Sequence, residues 1–266
     1  MNELVKWTAP RIKALKGKGK VVSLTAYDCT TARLVDEAGI NLIIVGDSVG
    51  MTMLGYENTL PVTMEEMLHH TAAVARGTKR ALVVADMPFL SYQVSVAQAV
   101  ENAGRFVKIG ADAVKIEGGA FRVPTIQALL ENGIPVLGHI GLTPQSIHAF
   151  GGYKIQGKTD DAAKKILDDA RAIEAAGVFA IVLEGMPAAL ASEITRSVTV
   201  PTIGIGAGPG CDGQVLVVHD MLGIYGDLRP KYVKRYAELG AEMRKAFEQY
   251  KKDIEDGRFP GPEHCY

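Results

Sequence analysis

The 266-residue sequence has little of what marks secreted, membrane or nucleic-acid-binding proteins. It contains only three cysteines, Cys29, Cys211 and Cys265, without Cys-x-x-Cys spacing, which argues against a disulfide framework and favours a reducing compartment. No apolar run approaches the roughly 20 residues that span a bilayer, and the basic N-terminus contains no apolar signal core. The formal net charge of -1 provides no field that would recruit nucleic acid or a membrane surface. We therefore expect a cytoplasmic protein that binds neither nucleic acid nor membrane.

What the sequence does have is a regular alternation of short apolar runs with segments of helical spacing. Eight strands are predicted, at residues 21–26, 42–45, 81–85, 113–117, 135–139, 179–183, 201–205 and 215–218. Near-continuous apolar strands separated by helices form parallel sheets, and the chain has about the length of one (β/α)8 barrel, roughly 250 residues. The pattern predicts an α/β fold, a TIM barrel in a single domain over residues 1–266, with an open doubly wound sheet as the alternative.

Helical spacing fills most of the connections between these strands. The predicted helices are residues 29–38, 64–76, 95–109, 123–131, 161–176, 187–197 and 231–254. Thr63 and Glu66 have the spacing of a capping box at the start of the second helix. Residues 141–159 are polar, glycine-rich and long for a barrel connection, so we predict a functional loop there and a candidate lid.

Ionisable residues stand at or just after the ends of five consecutive predicted strands. They are Asp47, Asp86, Lys115, Glu117, His139 and Glu184. Parallel strands place their carboxyl ends on one rim of a barrel, and active sites are built at that rim. Each residue alone has a structural explanation, since an aspartate after a strand is commonly a helix N-cap. Five strand ends that each supply such a group indicate a site.

The fourth strand carries the most unusual pair. Lys115 and Glu117 share one face of this strand, whereas Val114 and Ile116 share the other. A charged pair in an interior is costly unless it is paired or binds something. A purely structural Lys–Glu pair is the alternative to a site.

Three carboxylates, those of Asp47, Asp86 and Glu117, are expected to converge without an accompanying cluster of cysteine or histidine. Oxygen-only ligation favours a hard cation, Mg2+ or Ca2+. Mg2+ usually takes one or two carboxylates and keeps waters and substrate oxygens, so one of the three is expected to act through water. The alternative is a carboxylate cluster paired with Lys115 and arginines.

Mg2+ beside a lysine suits a small bidentate oxyanion such as a 2-oxo acid. The metal would polarise the ketone, and Lys115 would neutralise developing enolate charge. Glu184, across the barrel and after an apolar run, is the candidate general base. For His139 two interpretations stay open, a hydrogen bond to substrate oxygens or a structural imidazole.

At these residues the sequence resembles the ketopantoate hydroxymethyltransferase family of pantothenate synthesis. The segments that carry the resemblance span most of the chain in order, and they are Thr25-Ala-Tyr-Asp28, Val45-Gly-Asp-Ser-Val-Gly-Met51, Leu60-Pro-Val-Thr63, Ala85-Asp-Met-Pro-Phe89, Val114-Lys-Ile-Glu-Gly-Gly119, Gly138-His-Ile-Gly-Leu-Thr-Pro-Gln-Ser146, Phe150-Gly-Gly-Tyr153, Leu183-Glu184, Ile203-Gly-Ile-Gly-Ala-Gly208, Asp212-Gly-Gln214 and Phe259-Pro-Gly-Pro-Glu-His264.

The resemblance implies transfer of a hydroxymethyl group from 5,10-methylenetetrahydrofolate to 3-methyl-2-oxobutanoate, which gives 2-dehydropantoate. The site residues that it implies are Asp47, Asp86 and Glu117 for Mg2+, Asp47, Ser48, Asp86 and Lys115 for the substrate, and Glu184 as the proton acceptor. It also implies a homo-oligomer, a large ring assembly that is often a decamer built from pentamers. The positions that contact folate are not marked by a motif.

Two other functions are consistent with parts of the pattern. One is another metal-dependent lyase or mutase of 2-oxo acids on a related barrel, similar to isocitrate lyase or phosphoenolpyruvate mutase. A cysteine general acid in a rim loop would favour it, and neither Cys29 nor Cys211 lies in an obvious one. The other is a non-catalytic barrel that holds a small oxyanion or a protein partner. Such a barrel needs no base opposite the metal, so Glu184 discriminates against it.

Overall fold

The computed structural model describes residues 5–226 and 230–266, and its centre is a closed barrel of eight parallel strands. Each strand pairs with the next in the chain, and the last pairs with the first. The strands are β1 (Val21–Thr25), β2 (Leu42–Val45), β3 (Leu82–Asp86), β4 (Ala113–Glu117), β5 (Val136–Gly141), β6 (Ala180–Glu184), β7 (Thr202–Ile205) and β8 (Gly213–Leu216). The predicted TIM barrel is confirmed, and the open doubly wound sheet is excluded.

Helices fill most connections between the strands. They are α1 (Ala9–Lys13), α2 (Cys29–Glu37), α3 (Val49–Thr52), α4 (Met64–Gly77), α5 (Val96–Lys108), α6 (Val123–Glu131), α7 (Ile147–Phe150), α8 (Asp160–Ala176), α9 (Ala188–Ser197), α10 (Val218–Met221) and α11 (Leu239–Glu255), with 3-10 turns at Ala120–Arg122, Pro144–Ser146 and Pro262–His264. The capping box predicted at the start of α4 is present, because Thr63 and Glu66 bond each other's backbone amides.

The barrel interior is packed with apolar side chains below the rim. Leu42, Leu82, Leu137 and Val182 belong to one buried cluster to which alternate residues of the strands contribute. Helix α1 adds Ala9 and Ile12 to the same cluster, with Trp7 and Leu15 packed against it. This is the layered interior expected of a closed barrel, and it leaves the carboxyl ends of the strands as the place for polar groups.

The eighth strand was predicted two residues too late. It covers 213–216 rather than 215–218, and Val218 begins α10 instead. The reason is a close approach of two backbones: Gly213 pairs with Val21, and a Cβ at Gly213 would collide with the Val21 carbonyl oxygen. The strand therefore begins at a glycine, which an apolar pattern does not reveal.

The chain forms two compact units, residues 1–217 and 218–266. The single domain over residues 1–266 stays a prediction. The second unit contains α11, which begins at Leu239 rather than at the predicted residue 231. Within this unit the backbone N–H groups of Leu239 and Gly240 donate to carbonyl oxygens at Leu222 and Gly223, so the preceding residues form turns instead of helix.

Across the described ranges, none of the helices has the combination of length and apolarity needed to cross a membrane.

Candidate active site

Strand register brings the ionisable residues of the rim together. Asp86 pairs with Lys115, and Glu117 pairs with His139. Residues paired in a parallel ladder point to the same face, and residues two apart on one strand also share a face. Since Ala113 of the same strand lies in the interior cluster, all four side chains point into the barrel mouth.

Lys115 is the centre of the cluster. Its Nζ lies 2.8 Å from Asp86 Oδ1, 3.4 Å from Glu117 Oε1 and 3.2 Å from His139 Nδ1. All four residues are buried. The structural Lys–Glu pair considered above is therefore one contact in a larger buried cluster that includes a second carboxylate and an imidazole.

Asp47 joins this cluster from the connection after β2. Its backbone N–H donates to Asp86 Oδ2 over 3.2 Å, and its own Oδ2 accepts from Gln145 Nε2 over 3.0 Å. The Gln145 backbone N–H donates to Glu117 Oε2 over 3.1 Å. Through these bonds Asp47, Asp86 and Glu117 form one connected group, so the three predicted metal ligands lie together at the rim.

Ser48, predicted to contact substrate, follows Asp47 and is the N-cap residue of α3. Its side chain makes no capping bond; instead its Oγ lies 2.8 Å from the hydroxyl of Tyr27. Tyr27 is fully buried, whereas Ser48 is half-buried. The hydroxyl of Ser48 is thus held by a buried tyrosine, on the residue that directly follows Asp47.

Glu184, the predicted base, ends β6, which is four strands away from β2 in the eight-stranded ring. Its Oε2 lies 3.2 Å from His139 Nε2, and the opposite ring nitrogen of His139 lies 3.4 Å from Glu117 Oε1. Glu184 has 14% of its side chain exposed, the largest fraction among these groups. The backbone of β5 passes close beneath it, because a Cβ at Gly141 would collide with the Glu184 carbonyl oxygen.

The electrostatics of the cluster are dominated by an excess of carboxylates. Burial raises the pKa of Asp47 well above its ordinary value, and the nearby Asp86 and Glu117 carboxylates raise it further. Burial also raises the pKa of Asp86, although the Lys115 ammonium opposes this. Two buried carboxyl groups therefore lack enough positive charge around them to ionise easily.

The cationic groups respond in the opposite sense. Burial by itself lowers the pKa of Lys115, but the carboxylates of Asp86, Glu117 and Asp47 outweigh burial and raise the pKa of the ammonium. Burial and the Lys115 charge lower the pKa of His139, yet its contacts with Glu117 and Glu184 raise that pKa to about 9. Burial raises the pKa of Glu117, whereas Lys115 and His139 lower it overall.

The donor set fits a hard divalent cation. Four carboxyl groups, from Asp47, Asp86, Glu117 and Glu184, face the two cationic groups of Lys115 and His139 in these contacts. A divalent cation would balance this excess, and carboxylate oxygen is the ligand that Mg2+ prefers. Over residues 5–226 and 230–266, no three histidine, cysteine, aspartate or glutamate side chains are arranged to hold a metal ion by themselves.

Two residues of this site are not among the predicted site residues. Gln145 and Tyr92 are both buried, and both bond to the charged cluster: the Tyr92 hydroxyl accepts from the Glu117 backbone N–H over 3.0 Å. Gln145 lies within the polar 141–159 segment that was interpreted as a loop or lid. Two signals pointed to Gln145: its position shortly after a strand end at the rim, and its place in the segment 138–146 that carries the family resemblance.

Comparisons with known proteins show the family of the chain. The family model described as ketopantoate hydroxymethyltransferase matches residues 6–262. A 3-methyl-2-oxobutanoate hydroxymethyltransferase from Clostridium novyi (strain NT) is 58% identical over 255 residues, covering 96% of this chain and 93% of the relative. One of the same name from Thermotoga neapolitana is 56% identical over 256 residues, covering 96% and 95%.

Solved structures with the same fold are much more distant in sequence. A phosphoenolpyruvate phosphomutase from Streptomyces platensis subsp. rosaceus has a TM-score of 0.63 at 18% identity, covering 97% of this chain and 92% of that one. A 2,3-dimethylmalate lyase has a TM-score of 0.60 at 15% identity, covering 97% and 91%. These similarities show the barrel fold alone. The lyase or mutase alternative therefore has support only from the fold, whereas the relatives at 56–58% identity carry the hydroxymethyltransferase name.

Proposed function

Since the chain belongs to the ketopantoate hydroxymethyltransferase family, we propose that its barrel rim binds Mg2+ and a 2-oxo acid and accepts the one-carbon unit of 5,10-methylenetetrahydrofolate. Family membership gives the reaction: the enzyme adds a hydroxymethyl group to 3-methyl-2-oxobutanoate, forming 2-dehydropantoate in pantothenate biosynthesis. Mg2+, the folate donor and the roles of individual residues are our proposal.

The observation that carries the proposal is the buried group of three carboxylates around one lysine. Asp86 and Glu117 both contact the Lys115 ammonium, and Asp47 joins them through Asp86 and Gln145. Buried carboxylates in excess of cations are unfavourable in a protein that binds nothing there. Such a group is expected where a cation and an anionic substrate complete the balance of charge.

Asp47 and Asp86 are proposed to hold Mg2+, with Glu117 in the metal shell, acting through water. This assignment of two direct carboxylate ligands agrees with the usual coordination of Mg2+, which binds one or two carboxylates and fills its other positions with waters and substrate oxygens. When bound, the ion supplies Lewis-acid polarisation of the substrate ketone.

The 2-oxo acid is proposed to contact Asp47, Ser48, Asp86 and Lys115. The Lys115 ammonium is the group that neutralises charge as the ketone becomes an enolate. Its position is fixed by its contacts with Asp86 and Glu117, so it requires little reorganisation during the reaction. Ser48 offers a hydroxyl at the edge of the same mouth, held by Tyr27.

Glu184 is proposed to remove the proton from C3 of the oxo acid. It is the most exposed carboxylate of the group, and its Oε2 lies 3.2 Å from His139 Nε2. His139 then acts as a positioning residue between Glu117 and Glu184. The carbanion forms its new bond to the methylene carbon of the folate as the bond from that carbon to one folate nitrogen breaks, and this nitrogen takes the proton that Glu184 removed. Water then replaces the second nitrogen, supplying the hydroxyl and one proton, so that tetrahydrofolate leaves.

We further propose a cytoplasmic homo-oligomer, with the decamer that the family resemblance implies. Three free cysteines agree with a reducing compartment. Sedimentation of the purified full chain tests the assembly: a mass ten times that of the 28.4 kDa chain supports the decamer, and a monomer contradicts it.

The activity is tested with purified enzyme, 3-methyl-2-oxobutanoate, 5,10-methylenetetrahydrofolate and Mg2+. We expect 2-dehydropantoate only when all components are present. A chelator should abolish product formation, and excess Mg2+ should restore it. Undiminished turnover in the chelator would contradict the metal proposal, and product without folate would contradict the choice of donor.

A further inference from the structure

Gln145 bonds two carboxylates of the site from one position. It lies in the 3-10 turn Pro144–Ser146 after β5 and is buried. Its side-chain Nε2 donates to Asp47 Oδ2 over 3.0 Å, and its backbone N–H donates to Glu117 Oε2 over 3.1 Å. A single residue outside the strands therefore links the carboxylate that follows β2 to the carboxylate that ends β4.

The orientation of this side-chain amide is determined by its other partners. Nε2 also donates to the Met87 carbonyl oxygen over 2.9 Å. Oε1 accepts from the Tyr92 hydroxyl over 2.7 Å and from Gln93 Nε2 over 3.0 Å. Exchanging the amide nitrogen and oxygen would place acceptor against acceptor at Met87, so one orientation satisfies the set. The amide is thus held on both sides and cannot turn away from Asp47.

The chemical character of the contact is as important as its geometry. A lysine or arginine at this position would neutralise Asp47 and compete with a bound cation. An uncharged amide instead orients the carboxylate and leaves its negative charge available. Of the two Asp47 oxygens, the amide engages Oδ2.

We propose that Gln145 is a positioning residue for the Mg2+ site, which sets Asp47 and Glu117 relative to each other without neutralising either. The inference rests on the proposed function, because it assumes that these carboxylates serve the metal. Outer-shell partners of metal ligands typically change metal affinity or activity by 10- to 100-fold when removed. The structure assigns that role to an amide supplied by the connection after β5.

The test replaces Gln145 by methionine, which has similar length but no donor. Gln145→Met keeps the backbone N–H bond to Glu117 and loses the side-chain bond to Asp47. The matched control is Gln156→Met in the same connection, since the Gln156 amide donates only to the Lys154 carbonyl oxygen in the contacts described. Mg2+ affinity of the full enzyme is measured by calorimetry without substrates, together with kcat as a function of Mg2+ concentration.

We expect Gln145→Met to weaken Mg2+ binding by about 10- to 100-fold, and excess Mg2+ to recover part of the lost activity. Gln156→Met should behave as the wild type. A loss of activity that is equal at every Mg2+ concentration, with unchanged Mg2+ affinity, would overturn the inference, because a general structural defect produces that result. Asp86→Ala, run in parallel, separates the two proposals: if it too leaves Mg2+ affinity unchanged, the metal site itself is wrong.

A second variant covers the case in which Gln145→Met does not fold. Tyr92→Phe removes the hydroxyl that donates to the Gln145 amide oxygen and that also accepts from the Glu117 backbone N–H, and it keeps every carboxylate of the site in the chain. The expected result is a loss of Mg2+ affinity of at least about threefold, the effect of one buried hydrogen bond. Wild-type affinity in Tyr92→Phe would then overturn the inference.

Discussion

Two buried aspartates of the barrel unit differ in their neighbours: backbone N–H donors surround Asp36, whereas other carboxylates lie near Asp47. Asp36 is the second-to-last residue of α2 and accepts from the backbone N–H groups of Lys79, Arg80 and Ala81 over 2.6 to 3.1 Å. It is 3% exposed, and Asp47 is 4% exposed. Burial is therefore the same, and only the surroundings differ.

Asp47 instead has the carboxylates of Asp86 and Glu117 nearby, which help to raise its pKa. The difference teaches how a structural carboxylate is distinguished from a functional one. A carboxylate surrounded by backbone donors is satisfied by the fold alone. A carboxylate surrounded by other carboxylates is stabilised only when a ligand of positive charge, such as a divalent cation, binds beside it.

The largest expected effect comes from Glu184→Gln, which removes the proposed base. Exchange of the C3 proton of 3-methyl-2-oxobutanoate with solvent, followed by NMR without folate, should slow by about 10²- to 10⁴-fold. Glu193→Gln, at an exposed position of α9, is the matched control and should exchange normally. Near-normal exchange in Glu184→Gln would remove Glu184 from the role of base.

Asp86→Ala tests the group of carboxylates to which Asp47 belongs. Loss of a direct ligand should weaken Mg2+ binding by more than the roughly 10- to 100-fold that an outer-shell partner contributes. Calorimetry on the substrate-free enzyme measures it. Asp36→Asn should bind Mg2+ as the wild type does, and a similar loss of affinity in both variants would point to a general effect on folding.

Asp36→Asn is expected to lower the free energy of unfolding by about 2 kcal/mol. At present Oδ2 of Asp36 accepts from the Lys79 N–H and Oδ1 accepts from the Arg80 N–H. Asparagine has an NH2 group in place of one of these oxygens, so at least one backbone N–H would lose its acceptor. Urea denaturation measures the change. An unchanged midpoint would show that these three backbone bonds contribute little.

Asp47→Asn should have the smallest effect, and it should stabilise the protein, whereas Asp36→Asn should destabilise it. In the presence of a chelator we expect the free energy of unfolding to rise by about 1 kcal/mol, because a buried charge that faces two other carboxylates is removed. Asparagine keeps an oxygen that can accept from Gln145. If Asp47→Asn destabilised the protein as much as Asp36→Asn does, the proposed distinction between the two aspartates would fail.

Local patterns predicted the strands and the polar groups at their ends well. β2 and β4 have the predicted bounds, because a short, mostly apolar run with an acidic residue at or just after its end is a local signal. Alternation of strand and helix then makes the ladder parallel, which places Asp86, Lys115 and Glu117 on one rim. These steps need no knowledge of distant contacts.

The parts that were missed depend on distant backbone. Gln145 reaches Asp47, which is 98 residues earlier, only after the barrel has closed and the turn after β5 has formed. Its many partners are therefore invisible in a polar loop sequence. In the same way, α11 begins later than its pattern suggests because other backbone groups bond Leu239 and Gly240.

The order of the charged groups around the rim is the same as their order along the chain. Starting at β2, they are Asp47, Asp86, Lys115 with Glu117, His139 and Glu184. Strands β1, β7 and β8 carry none of these groups and complete the ring. All the charged groups of the site therefore come from one contiguous segment, residues 47–184, and the strands outside it serve to close the barrel around them.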